Sequence, residues 1–95
     1  MNIPELFTRA KPVFSFEFFL PKAPEDLAAF IANVRELKRL EPSFVTLTYG
    51  AGGSGREKTI ETAGQIKREL DFETVCHLTC ITHTKDEVSR ILDRL

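Results

Sequence analysis

A single carboxylate, Glu17, interrupts the Phe-rich run Val13-Phe14-Ser15-Phe16-Glu17-Phe18-Phe19. Ionised side chains resist burial unless they are paired or neutralised. An acid here is therefore an edge residue facing water, a structural acid paired with a distant base, or a group kept in an apolar site for proton chemistry. Its Phe neighbours would favour the neutral form, which makes Glu17 a candidate proton donor. Two later runs carry polar side chains at equivalent positions, Thr46 and Thr48 in the second and His77 and Thr79 in the third. His77 reads equally as a hydrogen-bonded core residue and as a ligand contact.

The loop Gly50-Ala51-Gly52-Gly53-Ser54-Gly55 formally matches GxGxxG, a turn that brings a pyrophosphate onto a helix N-terminus. The acid that such a site needs at the end of the next strand is missing, since Asp71 and Glu73 precede that strand and Cys80-Ile81 ends it. Arg56-Glu57 stands where a P-loop requires Lys and then Ser or Thr. Cys76, His77, Cys80 and His83 invite a zinc reading, but alternation puts both cysteines opposite His77 and tetrahedral ligation needs convergence, so no metal is expected. The cysteines lie about 13 Å apart along an extended strand, beyond disulfide reach. They read as reduced, buried small hydrophobes.

The elements that must position these residues form a strand-helix unit repeated three times. Strands are expected near Val13–Phe18, Phe44–Tyr49 and Thr74–Ile81, starting roughly every 30 residues, as a parallel βα repeat requires. Pro24-Glu25-Asp26 suits a first helical turn, and Leu27, Phe30, Ile31, Val34 and Leu37 follow helical spacing. Ser54 with Glu57 and Thr84 with Glu87 match capping boxes. The helices they open would bury Ile60, Ala63, Ile66 and Leu70, then Val88, Ile91, Leu92 and Leu95. Alternation places Phe14, Phe16, Phe18, Val45, Leu47, Tyr49, Cys76, Leu78 and Cys80 on the helix-covered face. The opposite face gathers Glu17, Thr48, His77 and Thr79 toward the strands' C-terminal ends, where βα architectures build their sites. Such a face is either partly solvated or the lining of a pocket. Eight units of about 30 residues come to about 240, close to the roughly 250 of a (β/α)8 TIM barrel. The expected fold is that barrel, with 1–95 supplying its first three βα units as a truncated N-terminal part.

Composition limits the alternatives. Ninety-five residues with 42% apolar and 28% charged side chains describe one globular domain. A net charge of -1 without a basic stripe argues against nucleic acid or an anionic membrane as partner. No run approaches a membrane span and no signal-peptide core is visible, so the cytoplasm is the expected compartment.

Three segments together resemble the methylenetetrahydrofolate reductase family. Phe16-Glu17-Phe18-Phe19 with Pro21 is similar to the family's FEFFPP, although Leu20 stands where the first proline is usual. Phe44-Val45-Thr46-Leu47-Thr48-Tyr49-Gly50-Ala51, with Gly53-Ser54 and Arg56, resembles its TYGA segment, and His77-Leu78-Thr79-Cys80-Ile81 its HLTC segment. The resemblance implies a flavin-dependent (β/α)8 barrel. It would use NADH or NADPH, through FAD, to reduce 5,10-methylenetetrahydrofolate to 5-methyltetrahydrofolate. It implies Glu17 as general acid, Thr48 beside the nicotinamide nucleotide, and Tyr49, Ala51 and His77 as flavin contacts. The full-length enzyme is expected to be a homo-oligomer and this piece alone inactive. Two other readings stand beside it: a small nucleotide-binding module using Gly50–Gly55, and a non-catalytic fragment that associates through its sheet edges.

Overall fold

Three parallel strands form one sheet in a computed structural model that describes residues 2–9, 11–49 and 56–95. β1 (Ser15–Phe18), β2 (Phe44–Leu47) and β3 (Thr74–Cys76) lie in chain order, with β2 central. The register pairs Phe16 with Val45, Glu17 with Thr46, Thr46 with Val75 and Leu47 with Cys76. The helices α2 (Leu27–Glu36), α3 (Arg56–Leu70) and α4 (Lys85–Arg94) follow the strands one by one. The fold class is α/β with a βα repeat, as the spacing requires.

Apolar periodicity explains where the core sits. Ile31 and Val34 of α2 and Ala63, Ile66 and Leu70 of α3 pack with Val45, Leu47 and Phe72 in one cluster. Phe18, Leu20, Leu27, Phe30 and Cys76 border it. Ile60 is buried as well. Both helices therefore cover the face that carries Phe18 and Leu47, and alternation leaves Glu17 and Thr46 on the other.

Helix ends follow their local chemistry. Pro24–Asp26 forms a 3-10 turn ahead of α2, and a second such turn, Leu37–Leu40, prolongs it to Glu41 at φ 50°. Lys38 then reaches the end of α3: its Nζ donates to the Leu70 carbonyl at 2.6 Å and lies 5.8 Å from the Phe72 ring centre. Asp71, at φ 55°, takes the left-handed conformation that ends many helices. α4 has its capping box complete. The Glu87 amide donates to Thr84 Oγ1 at 3.2 Å and the Thr84 amide to Glu87 Oε2 at 2.8 Å. Ser54, the other expected cap, lies outside the described residues.

Several expectations need correction. β3 ends at Cys76, well short of Ile81. Among the described residues it pairs only with β2, whose ladder closes where the His77 amide donates to the Leu47 carbonyl at 3.0 Å. The chain then turns, with the His83 amide on the Cys80 carbonyl at 3.2 Å and Thr82 at φ 63°. Cys80 is consequently exposed, not a buried hydrophobe, whereas Cys76 is half-buried and burial raises its thiol pKa. On α4 only Ile91 is buried, and Leu92 and Leu95 are exposed because no described element covers that side. A short helix absent from the periodicity, α1 (Ile3–Leu6), puts Leu6 beside Pro42, Ser43 and Phe72, around a cavity of about 450 Å³ at the strands' N-terminal ends. Among the described residues no helix is long and apolar enough to cross a membrane.

Candidate functional site

The face opposite the helices carries Glu17 from β1, Thr46 and Thr48 from β2 and its extension, and Val75 and His77 from β3 and its extension. Glu17, Thr46 and Val75 stand side by side across the sheet. Thr48 and His77 continue the ladders beyond them, Thr48 through its amide on the Phe18 carbonyl at 3.0 Å and His77 through its amide on Leu47. At about 4.8 Å between strands and 3.3 Å per residue, Glu17 and His77 are about 12 Å apart at their Cα atoms. They cannot bond one another directly. They can address separate parts of one extended ligand.

This face is open. Glu17 and His77 are exposed and Thr48 is half-buried. The apolar surroundings expected of Glu17 are therefore not present: Phe16 and Phe18 flank it in sequence but turn to the helix side, where Phe18 meets Phe30 edge-on at 5.9 Å. Phe19, just beyond Glu17, is 79% exposed.

Tyr49 does not join Glu17, Thr48 and His77. It keeps the alternation of Val45 and Leu47 and is only 6% exposed. Its ring packs against that of His83, with centroids 5.9 Å apart at 68°, and its hydroxyl is hydrogen-bonded to His83 Nε2 at 2.8 Å. Ala51 and the loop Gly50–Gly55 lie outside the described residues. Thr79, expected on the strand, follows it in the turn-bound segment. There its Oγ1 is buried with no hydrogen-bond partner among the described residues. The acids nearest β3 are occupied elsewhere. Asp71 closes α3, and Glu73 pairs with Lys67 at 3.1 Å, a hydrogen bond that holds the Glu73 carboxyl below its ordinary pKa. No group of three or more His, Cys, Asp or Glu among the described residues could hold a metal ion.

Two positioning features escaped the sequence. Thr59 and Thr62 are buried within the apolar stripe of α3, and Thr59 Oγ1 donates to the Thr48 carbonyl at 3.3 Å, tying α3 to the end of β2. A threonine repeated at helical spacing among Ile60, Ala63 and Ile66 was the available signal. His83 is the second. Its side chain is fully buried, and it lies four residues before Glu87. A histidine directly preceding a capping box could have drawn attention to that junction.

A parallel βα sheet with polar side chains collected at the carboxyl ends of its strands defines the class: an α/β protein, an architecture that builds its ligand sites at that end. The model of the family described as methylenetetrahydrofolate reductase matches residues 2–95. The 5,10-methylenetetrahydrofolate reductase of Salmonella typhimurium is 39% identical over 77 residues, which are 81% of this chain and 26% of that protein. Methylenetetrahydrofolate reductase (NADH) 1 of Arabidopsis thaliana is 30% identical over 94 residues, 99% of this chain and 16% of that protein. The 5,10-methylenetetrahydrofolate reductase of Escherichia coli strain K12 is 39% identical over 77 residues, again 26% of its length. The chain belongs to the methylenetetrahydrofolate reductase family, and it spans about a quarter or less of these curated relatives.

Proposed function

We propose that residues 1–95 are the N-terminal part of a single (β/α)8 barrel that reduces 5,10-methylenetetrahydrofolate to 5-methyltetrahydrofolate with NADH or NADPH. The observation that carries this reading is the alignment of three parallel strands in a member of this family, with Glu17, Thr48 and His77 on the face away from the helices. A sheet with one covered face and one polar, open face is what three units of a barrel present when the opposite wall is contributed by other strands. The piece by itself is inactive on this view. A cytoplasmic, homo-oligomeric enzyme belongs to the same proposal.

The residues present fit a flavin. Thr48 and His77 offer side-chain donors and acceptors at the strand ends, and the buried Thr79 hydroxyl is a polar atom in want of a partner. Bound FAD would supply a two-electron carrier between the nicotinamide and the folate. His77, with Ala51 and the backbone of Tyr49, would hold it, and Thr48 would lie beside the nicotinamide nucleotide. Glu17 acts on the folate. Its carboxyl proton passes to the ring-bridging nitrogen, the bond from that nitrogen to the methylene carbon breaks, and the resulting iminium becomes the hydride acceptor that ends as the methyl group. The apolar cover that a proton donor needs would come from the strands that complete the barrel.

Glu17→Gln in the complete enzyme tests the assignment. Folate reduction should fall by about 10²–10⁴-fold, the usual contribution of a positioned acid. Flavin reduction by the nicotinamide cofactor, followed in a single turnover without folate, should persist. Retained folate turnover would remove Glu17 from the role.

A further inference from the structure

The geometry points to His83 as a positioning residue that latches Tyr49 and so fixes the C-terminal end of β2 at the mouth of the site. The functional part of this inference rests on the flavin reading above. The latch itself does not.

Tyr49 is the last described residue before the glycine-rich loop, and it follows Thr48 directly. Its phenol is buried on the helix side of the sheet, so the strand end is held from behind, leaving Thr48 on the open face. What holds it is the imidazole of His83, at 2.8 Å from Nε2 to the hydroxyl and edge-on to the ring. The imidazole is in turn fixed on its other side. Nδ1 lies 3.8 Å from Glu87 Oε2, too long for a hydrogen bond but close enough for attraction, and the same oxygen accepts the Thr84 amide at 2.8 Å. The carboxylate beside Nδ1 favours the tautomer with its proton there, leaving Nε2 to accept from the Tyr49 hydroxyl.

The backbone that delivers His83 is unusual. Thr82, a β-branched residue, sits at φ 63°, in a region such residues rarely enter, within the turn closed by the His83 amide on Cys80. Strain of this kind persists where the surroundings over-determine it. The turn delivers the imidazole beside Tyr49 and the first turn of α4. Thr59 holds the Thr48 carbonyl from α3, so the strand end is gripped from α3 and from the segment that leads into α4. Losing one grip should loosen the backbone from which Thr48 projects without unfolding the sheet.

The test uses the complete protein, unliganded and with FAD. Tyrosine labelled with carbon-13 at Cζ gives a resonance for Tyr49, assigned by its loss in Tyr49→Phe. His83→Ala should shift that resonance, and His83→Gln, which keeps a polar group at similar reach, should return it toward the wild-type position. An unmoved resonance in His83→Ala overturns the latch. With FAD, His83→Ala and Tyr49→Phe should each weaken binding about 3- to 10-fold, the worth of one hydrogen bond. The double variant should be no weaker than the poorer single one. Unchanged affinity in His83→Ala, or losses that multiply in the double variant, overturns the positioning role. If the wild-type protein binds no FAD, the flavin reading falls, and the Cζ resonance alone decides the latch.

Discussion

Glu17 and Phe18 are adjacent in the chain and opposite in surroundings, because strand geometry sends neighbouring side chains to opposite faces. That alternation made the composition of each face readable from the sequence. It could not show how much cover either face has. Glu17 is exposed among the described residues although four phenylalanines stand within three positions of it. The two cysteines show the same limit. Read as a continuous strand, Cys76 and Cys80 share a buried face. Once the strand stops at Cys76, the second sulfur is released to solvent. Their reactivities should differ accordingly. Burial raises the Cys76 thiol pKa and lowers its thiolate fraction at neutral pH, while Cys80 is open to reagent. Brief iodoacetamide treatment at pH 7.5, a value near which about a tenth of free thiols ionise, should label Cys80 well before Cys76 by peptide mass spectrometry. Equal labelling would contradict the strand end at Cys76.

Among the elements, the helices were the most legible. Their apolar spacing and end signals survive without knowledge of the neighbours, and the Thr84–Glu87 capping box formed as its residues predict. Gly64 is the weak point in α3. A Cβ there would come within 2.8 Å only of the Arg68 guanidinium, the far end of a flexible side chain that can move aside. Gly64→Ala should therefore stabilise the protein by ~0.5–1 kcal/mol, the usual helix-interior difference between the two residues. A denaturant titration reads this directly, and destabilisation would mean that Arg68 is held in place. The strands were less legible at their ends. A strand lasts only as long as its partner, and the shortness of β2 limits β3 in a way no local pattern records.

For the whole molecule, the decisive asymmetry is between the two faces of the sheet. Leu47 and Val45 are fully buried beneath α2 and α3, whereas Thr46, between them, belongs to the open side. Leu47→Ala should cost about 2–5 kcal/mol, as large-to-small changes in packed cores do. Thr46→Ala should change stability by less than about 1 kcal/mol, as substitutions away from packed cores usually do. Urea midpoints of the two variants give the comparison, and equal losses would show that both faces are packed. This asymmetry also explains why the candidate site is a surface of aligned strand ends and not an enclosed pocket.

By itself the sequence determined the βα repeat, the identity of the buried helical stripes, the side of each strand on which Glu17, Thr48 and His77 fall, and the three motifs that place the chain in its family. These are local properties, carried by periodicities of 2 and 3.6 residues and by short-range capping chemistry. Only the tertiary structure decided that β3 ends at Cys76 and that His83 and Thr59 grip the end of β2. Those outcomes depend on which distant groups meet: Tyr49 with His83, Thr59 with Thr48, Lys38 with Leu70. Contacts between residues far apart in the chain leave no periodic trace in it.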